Sequence, residues 1–427
     1  MTSISDRSSK SPEPSVEELY RAEWGRLLAR LVSRTRRLDL AEDALGEAFA
    51  RAVQRWPGEG FPANPAAWLY TAAFRHVVGC LRAEAIAGRK APLLAVRPEC
   101  VGPDSEIDGD EIGDDRLQLI LSCCHPALQR ESQSALALRL VVGTSTEQIA
   151  RLFLVPTATM AARLTRAKRK IVLAGIPLSA PVDSELRSRV DEVCRTIYLS
   201  FTAGYTPGVG PDLLRPDLAG EAVQLAAILH DLIPDAAQVN ALLALLLLQH
   251  SRRDARVRDG QLVTLANQDR SIWYLDEIST GLALIDSLDP SEGYAEELRL
   301  QAMIAAEHAR ASKAELTNWS MIAAHYAKLE TQSGSPIVRL NRAVAVGEAE
   351  SPQAGLSLLT GLDQLLAGNH RLAAVRADLA QRAGNTELAK ASYSQAINLC
   401  RNVIERDYLH AQLASLSLRT DLMAQSD

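Results

Sequence analysis

The segment from Thr144 to Ile171 is the part of this chain that allows the fewest folds. Ser145 and Gln148, and also Thr144 and Glu147, have the three-residue spacing of a helix capping box. A short helix is therefore predicted to run to about Phe153, with Leu154-Val155-Pro156 as the turn behind it. The helix that follows carries Met160, Leu164, Ala167 and Ile171 on one face, while Arg163, Arg166 and Lys170 share another. Five of the eight residues from Arg163 to Lys170 are basic. A short helix, a tight turn and a second helix with one apolar and one cationic face suit the major groove of DNA. Lysines and arginines would neutralise phosphates, and Thr157, Thr159 and Arg163 near the helix start are placed to reach base edges. The alternative is a solvated basic helix end.

The rest of the chain is consistent with helices. Aromatics make up only 4% of the 427 residues, which disfavours β-rich folds. An all-α protein of two to four domains follows from that and from the length. With a net charge of −6 overall, a nucleic-acid site has to be local. Residues 1–171 hold 24 basic and 21 acidic side chains, against 22 and 31 in the remainder. The longest apolar run, Ala241 to Leu248, is far shorter than the roughly 20 residues a membrane helix needs. With no secretion signal and no disulfide framework, the expected location is cytoplasmic, away from any membrane.

The expected organisation is a disordered leader over 1–15, a helical block over 16–85, a flexible acidic linker over 86–114, the helix-turn-helix block over 115–175 and a helical extension over 183–427. In the first block a helix is expected to begin at Asp39, with Glu42 in capping-box position. A loop spans Pro57 to Pro65, and another helix runs from about Ala66 to Glu84. The linker expectation rests on eight acids and no base between Glu99 and Asp115. Residues 175–177 end the helix-turn-helix block, and 179–182 form a joint. Beyond it the pattern shows helix after helix and no convincing strand pair. A weak 34-residue offset aligns Ala343 with Ala377, Val346 with Ala380 and Ala349 with Ala383, the tetratricopeptide period.

Three stretches in order resemble extracytoplasmic-function sigma factors of bacterial RNA polymerase. Asp39-Leu40-Ala41-Glu42-Asp43-Ala44-Leu45-Gly46-Glu47-Ala48-Phe49 is similar to the region 2 helix that docks on the polymerase clamp. Asn64-Pro65-Ala66-Ala67-Trp68-Leu69-Tyr70 resembles the start of the helix that engages the −10 promoter element. Glu147-Gln148-Ile149-Ala150, continued by residues 158–168, resembles region 4, which reads the −35 element. Residues 122–128, 259–263, 267–273 and 340–345 resemble signatures of a subgroup with a long, tetratricopeptide-like, regulatory C-terminal extension. The resemblance covers nearly the whole chain. It implies a sigma region 2 helical bundle, a region 4 helix-turn-helix and the helical extension, with RNA polymerase core and promoter DNA as partners. The chain departs from the family pattern at Arg75 and Gly79, where relatives commonly carry Asn and Asp. That departure bears on −10 recognition and melting.

The resemblance assigns core-polymerase binding to Asp39, Glu42, Asp43, Glu47 and Phe49. Asp43 and Glu47 lie four apart on one helix face and could meet basic residues of a partner, or remain a solvated acidic face. Glu42 could extend the patch or only cap its helix. The −10 set is Phe61, Asn64, Trp68, Tyr70, Arg75, His76 and Arg82, which supply stacking rings and cations for a single strand. For Trp68 a core anchor is the equal alternative, and Phe61 could anchor its loop. The −35 set is Thr157, Thr159, Arg163, Arg166, Lys168, Arg169 and Lys170. Arg256, Asp259, Asp269, Arg270 and Trp273 mark a candidate regulatory interface, in a charge-dense segment that reads more simply as an ion-pair network. The acidic extension could contact the sigma modules within the chain.

Cys123, Cys124 and His125 read as core packing, because no second ligand pair has zinc spacing. His230 and His250 read as polar helix edges. No phosphate loop, nucleophile elbow or metalloprotease motif appears, so neither an enzyme nor a cofactor or metal is implied. The expected function is promoter-specific transcription initiation. The rivals are a helix-turn-helix regulator and a helical-repeat adaptor with degenerate sigma modules.

Overall fold

Capping decides where the first helix begins. In the computed structural model, which describes residues 15–87, 109–153, 155–173, 183–205, 216–258 and 261–424, α1 (Val16–Thr35) starts on a complete box. The Ser15 side chain accepts from the Glu18 backbone N–H, and the Glu18 carboxylate accepts from Ser15 N–H. Residues 1–14 of the expected leader, most of the expected linker, Leu154, Asp259 and the joint at 179–182 lie outside the described residues, while Ser15, assigned to the leader, caps α1. The chain divides into two units, Met1–Leu199 and Ser200–Asp427.

The first unit holds α1, α2 (Leu38–Glu59), α3 (Pro65–Ala87), α4 (Gly109–Cys123), α5 (Arg130–Leu140), α6 (Thr146–Leu152), α7 (Thr157–Leu173) and most of α8 (Asp183–Tyr205). Three boundaries differ from the sequence expectation. Helix α2 begins at Leu38 with no side-chain cap, because Asp39 is taken by Arg37 through Nε–Oδ1 and Nη2–Oδ2 bonds of 3.0 and 2.8 Å. It continues past Pro57, which falls in the last turn and forfeits a single helix bond there. Helix α4 reaches back to Gly109, into the run expected to be a linker. Acidic residues oppose one another in a coil but are favoured at a helix N-terminus.

Helix α1 touches the helix-turn-helix block backbone to backbone. A Cβ on Gly25 would stand 1.6 Å from the Val141 carbonyl oxygen, so only glycine fits. Next to it the Trp24 ring covers Gly143, whose φ of +71° suits glycine. Helix α8 was expected to open the extension, yet it packs here as far as Leu199. Val190, Val193, Cys194 and Ile197 are buried, Arg130 pairs with Glu192 at 3.1 Å, and Arg189 donates to the Leu121 carbonyl.

The second unit follows with α9 (Pro216–Leu232), α10 (Ala237–His250), β1 (Val257–Arg258), β2 (Gln261–Leu262), α11 (Leu275–Asp286), α12 (Gly293–Arg310), α13 (Trp319–Ser333), α14 (Pro336–Ala349), α15 (Pro352–Leu358), α16 (Leu362–Leu365), α17 (His370–Arg382), α18 (Thr386–Leu399) and α19 (Val403–Ala424). Helix α10 is apolar all round and packs against α9, α11 and α12, as such a helix must. The antiparallel pair β1/β2, in register Val257↔Leu262, corrects the expectation of no strands. Two residues per strand are too few to show alternation in a sequence.

From α13 onward, sequential helices pack on one another across short turns. Gly334 and Gly384, at φ +60° and +79°, make two of these turns. Small residues set the spacing: Gly355 faces the Ala343 carbonyl, 2.6 Å from where its Cβ would be, and Gly347 faces Leu379. Of the pairs offset by 34 residues, Ala343 and Ala377 are both buried, as are Val346 and Ala380, whereas Ala349 and Ala383 are only half-buried. Arg382 reaches back to Glu348, 34 residues earlier, at 2.6 Å.

Candidate nucleic-acid interface

The helix-turn-helix is α6 and α7. Of the two capping boxes legible in the sequence, the chain uses Ser145/Gln148: Gln148 N–H donates to Ser145 Oγ, and Ser145 N–H donates to Gln148 Oε1. Thr144 is buried instead. Met160, Leu164, Ala167 and Ile171 are buried and form the apolar face of α7. On the other face Thr157, Thr159, Arg166, Arg169 and Lys170 are exposed, and Arg163 is half-buried. The N-terminal turn of α7 thus offers hydroxyls, with the cations further along the same exposed surface. Arg166 Nε rests on the Ala162 carbonyl, and Lys170 donates to the Ala127 carbonyl.

Lys168 is placed differently. Its Nζ lies 2.6 Å from Glu42 Oε1, with the carboxylate mostly buried. This bridge joins a residue of the −35 set to one of the core-polymerase set. Glu42 is therefore an interhelical ion-pair partner rather than the cap of α2. On the same helix Asp43 and Glu47 are exposed, Glu47 held by Arg51 four residues on. Asp39 is bound by Arg37, which also bonds Glu84 on α3, and its carboxyl is held below the usual range by that guanidinium. Phe49 is not available to a partner in this conformation, because it is 5% exposed and packs edge-on against Tyr20.

The −10 set separates into two groups. Arg75, His76 and Arg82 are exposed along α3, as is Gly79. Tyr70 is 6% exposed, stacks on Phe74 and lies under the Arg30 guanidinium, so it is a core ring and not a free stacking platform. Burial raises its hydroxyl pKa. Phe61 and Trp68 each pack on Trp56, with ring centroids 4.9 and 5.4 Å away. They remain half-buried, so the core-anchor reading accounts for one side of each ring. Asn64 caps α3: its Oδ1 accepts from Ala67 N–H at 3.0 Å.

Cys123 and Cys124 are buried in the core. Cys124 Sγ lies 3.6 Å from the Thr196 hydroxyl, and burial pushes its thiol up to about 12. His125 Nδ1 accepts from Ala127 N–H.

In the second unit the charge-dense segment is held by one ion-pair cluster at Glu277 and by hydrogen bonds of its other charged groups. Glu277 receives Arg253 at 2.9 Å and faces His250 at 3.0 Å, while Arg253 lies over the Tyr274 ring. Arg270 donates to the His308 and Ala311 carbonyls at the end of α12, a C-terminal capping role. Trp273 is buried beneath it, and Asp269 accepts from Ser271. Those three members of the candidate regulatory interface are thus engaged within their own unit. Arg256 is half-buried, and Asp259 lies outside the described residues. Burial, reinforced by Arg252 and Arg270, lowers the His308 pKa to about 4.

Several structural residues escaped the sequence reading. Gly25 carried a signal, since an isolated glycine in a helical pattern often marks close packing. Arg37 and Glu192 carried none for their long-range pairs, because Glu84 and Arg130 lie 47 and 62 residues away on other helices.

No described helix is long and apolar enough to cross a membrane. The sigma-70 region 4 family matches residues 118–171, which run from α4 to α7. A family of unknown function (DUF6596) matches residues 189–288. An uncharacterized protein of Rhizobium meliloti (strain 1021) is 38% identical over 402 residues, covering 92% of this chain and 93% of its own. No solved structure matches. With the helix-turn-helix geometry and the region 4 match, residues 118–171 form a sigma-70 region 4 domain, and over nearly all of its length the chain belongs to the same protein family as that rhizobial relative.

Proposed function

We propose that this chain is an alternative sigma factor of the extracytoplasmic-function type. It binds core polymerase through α2, reads a −35 element with α7 and opens the −10 element with α3. The observation that carries this reading is the exposed Thr157/Thr159/Arg166/Arg169 surface of α7, on a helix-turn-helix matched by region 4. Exposed Asp43 and Glu47 support the docking role, and exposed Arg75, His76 and Arg82 support a single-strand path. The second unit is a tetratricopeptide-like extension that controls initiation.

In this reading the Lys168–Glu42 bridge belongs to a closed form. It must open before Glu42 can meet polymerase or Lys168 can meet DNA.

The test is run-off transcription from fragmented genomic DNA with bacterial core polymerase. One arm uses the full chain and the other a chain ending after Tyr205. An end near Ala180 would strip α8 from the first unit. Discrete transcripts sharing two spaced elements are expected, with yields that differ between the two lengths. Stable polymerase binding without any transcript would favour the adaptor. Sequence-specific duplex binding without polymerase would favour the simple regulator.

A further inference from the structure

At the C-terminal end of the second unit, three helix ends meet. His370 is the first residue of α17, directly after its N-cap Asn369. Cys400 closes α18 as its C-cap. Glu405 sits in the first turn of α19, which is fixed by the Asn402 side chain accepting from Ile404 N–H and Glu405 N–H at 3.0 Å each. The three side chains converge. His370 Nε2 lies 2.9 Å from Glu405 Oε2, Cys400 Sγ lies 4.0 Å from the same oxygen, and all three ligand atoms fall within 4.8 Å of one another.

We propose that His370, Cys400 and Glu405 form a three-ligand zinc site, with water as the fourth ligand. An imidazole nitrogen, a thiol sulfur and a carboxylate oxygen are the donor types zinc accepts, and a sulfur donor argues against magnesium or calcium. Zinc–ligand lengths of about 2.0–2.3 Å place neighbouring tetrahedral donors roughly 3.3–3.7 Å apart. The His–Glu separation needs to open, and the sulfur needs to approach, by well under the length of a bond in each observed case. Cys400 is buried against Tyr393 and Leu409, whereas His370 and Glu405 are partly exposed, leaving a side for water. Thiolate, carboxylate and neutral imidazole balance the charge of a divalent ion. The ion would clip α19 onto α17 and α18. The proposal concerns this end of the second unit and does not depend on the sigma reading.

The simpler arrangement is Glu405 paired with His370 and, at 3.6 Å, with Arg371, while the Cys400 thiol donates to the Asn402 carbonyl at 3.4 Å. The experiment separates the two. The reduced full chain is titrated with zinc by calorimetry, and with cobalt(II) while the near-ultraviolet thiolate charge-transfer band is followed. Cys400→Ser, His370→Gln and Glu405→Gln are run in parallel, each checked for wild-type helicity. The expected result is one zinc per chain, a rise in Tm with zinc, and affinity at least about 100-fold weaker in each variant, because a ligand counts for no less than a supporting residue. The cobalt band is expected to vanish in Cys400→Ser. Absence of zinc binding to the wild-type chain overturns the site. So does binding that survives Cys400→Ser, or that is lost in Cys400→Ser but kept in both partly exposed variants.

Discussion

At single positions, small chemical differences carry much of the first unit. Gly25 lets α1 touch the Val141 carbonyl, and Gly25→Ala would place a carbon 1.6 Å from that oxygen. We expect at least the roughly 1–3 kcal/mol of an overpacked core, measured as a loss of stability to urea. Ser145→Ala removes the cap used by α6 and should cost about 1 kcal/mol in the same assay. Arg169 is exposed on α7 with no structural task among the described contacts. Arg169→Ala should therefore weaken DNA binding evenly across sequences and lower the salt slope by about 1, measured by binding titrations from low to high salt.

Between elements, pairing redistributes residues the sequence assigns to separate tasks. Lys168 and Glu42 belong to different candidate interfaces, yet they bond across α7 and α2. A double-mutant cycle with Lys168→Met and Glu42→Gln should show favourable coupling of about 1 kcal/mol or less, declining as salt rises. Arg37 acts likewise, holding the start of α2 to the end of α3 through Asp39 and Glu84. Periodicity foretold the apolar face of α7, because a helix repeats its burial every turn. The expectation that Tyr70 and Phe49 face a partner came from the resemblance and from ring chemistry, and neither tells whether a neighbouring element covers the ring, as it does here.

For the whole molecule, buried titratable groups tie stability to pH. The folded-state pKa of His308 is about 4, set by burial and then by Arg252 and Arg270, against 6.5 for the unfolded chain. The unfolded state takes up the proton first as pH falls. The stabilising contribution of a neutral His308 is therefore complete above pH 6.5, declines between about 6.5 and 4, and is gone below. The shift corresponds to about 3 kcal/mol at most. His325, also lowered by burial, acts in the same direction. Urea unfolding of the second unit at pH 7 and pH 5 should show the loss, and His308→Leu should flatten it.

The sequence by itself determined the helical class and the helix-turn-helix with its cap and apolar face. All of these are written in local spacing, within one or two helical turns. Tertiary structure alone decided that α8 packs with the first unit, that Lys168 turns to Glu42, that Arg270 caps α12, and that His370, Cys400 and Glu405 meet. Each of these depends on which helices come to lie side by side, and contacts between residues distant in the chain leave no periodic trace in it.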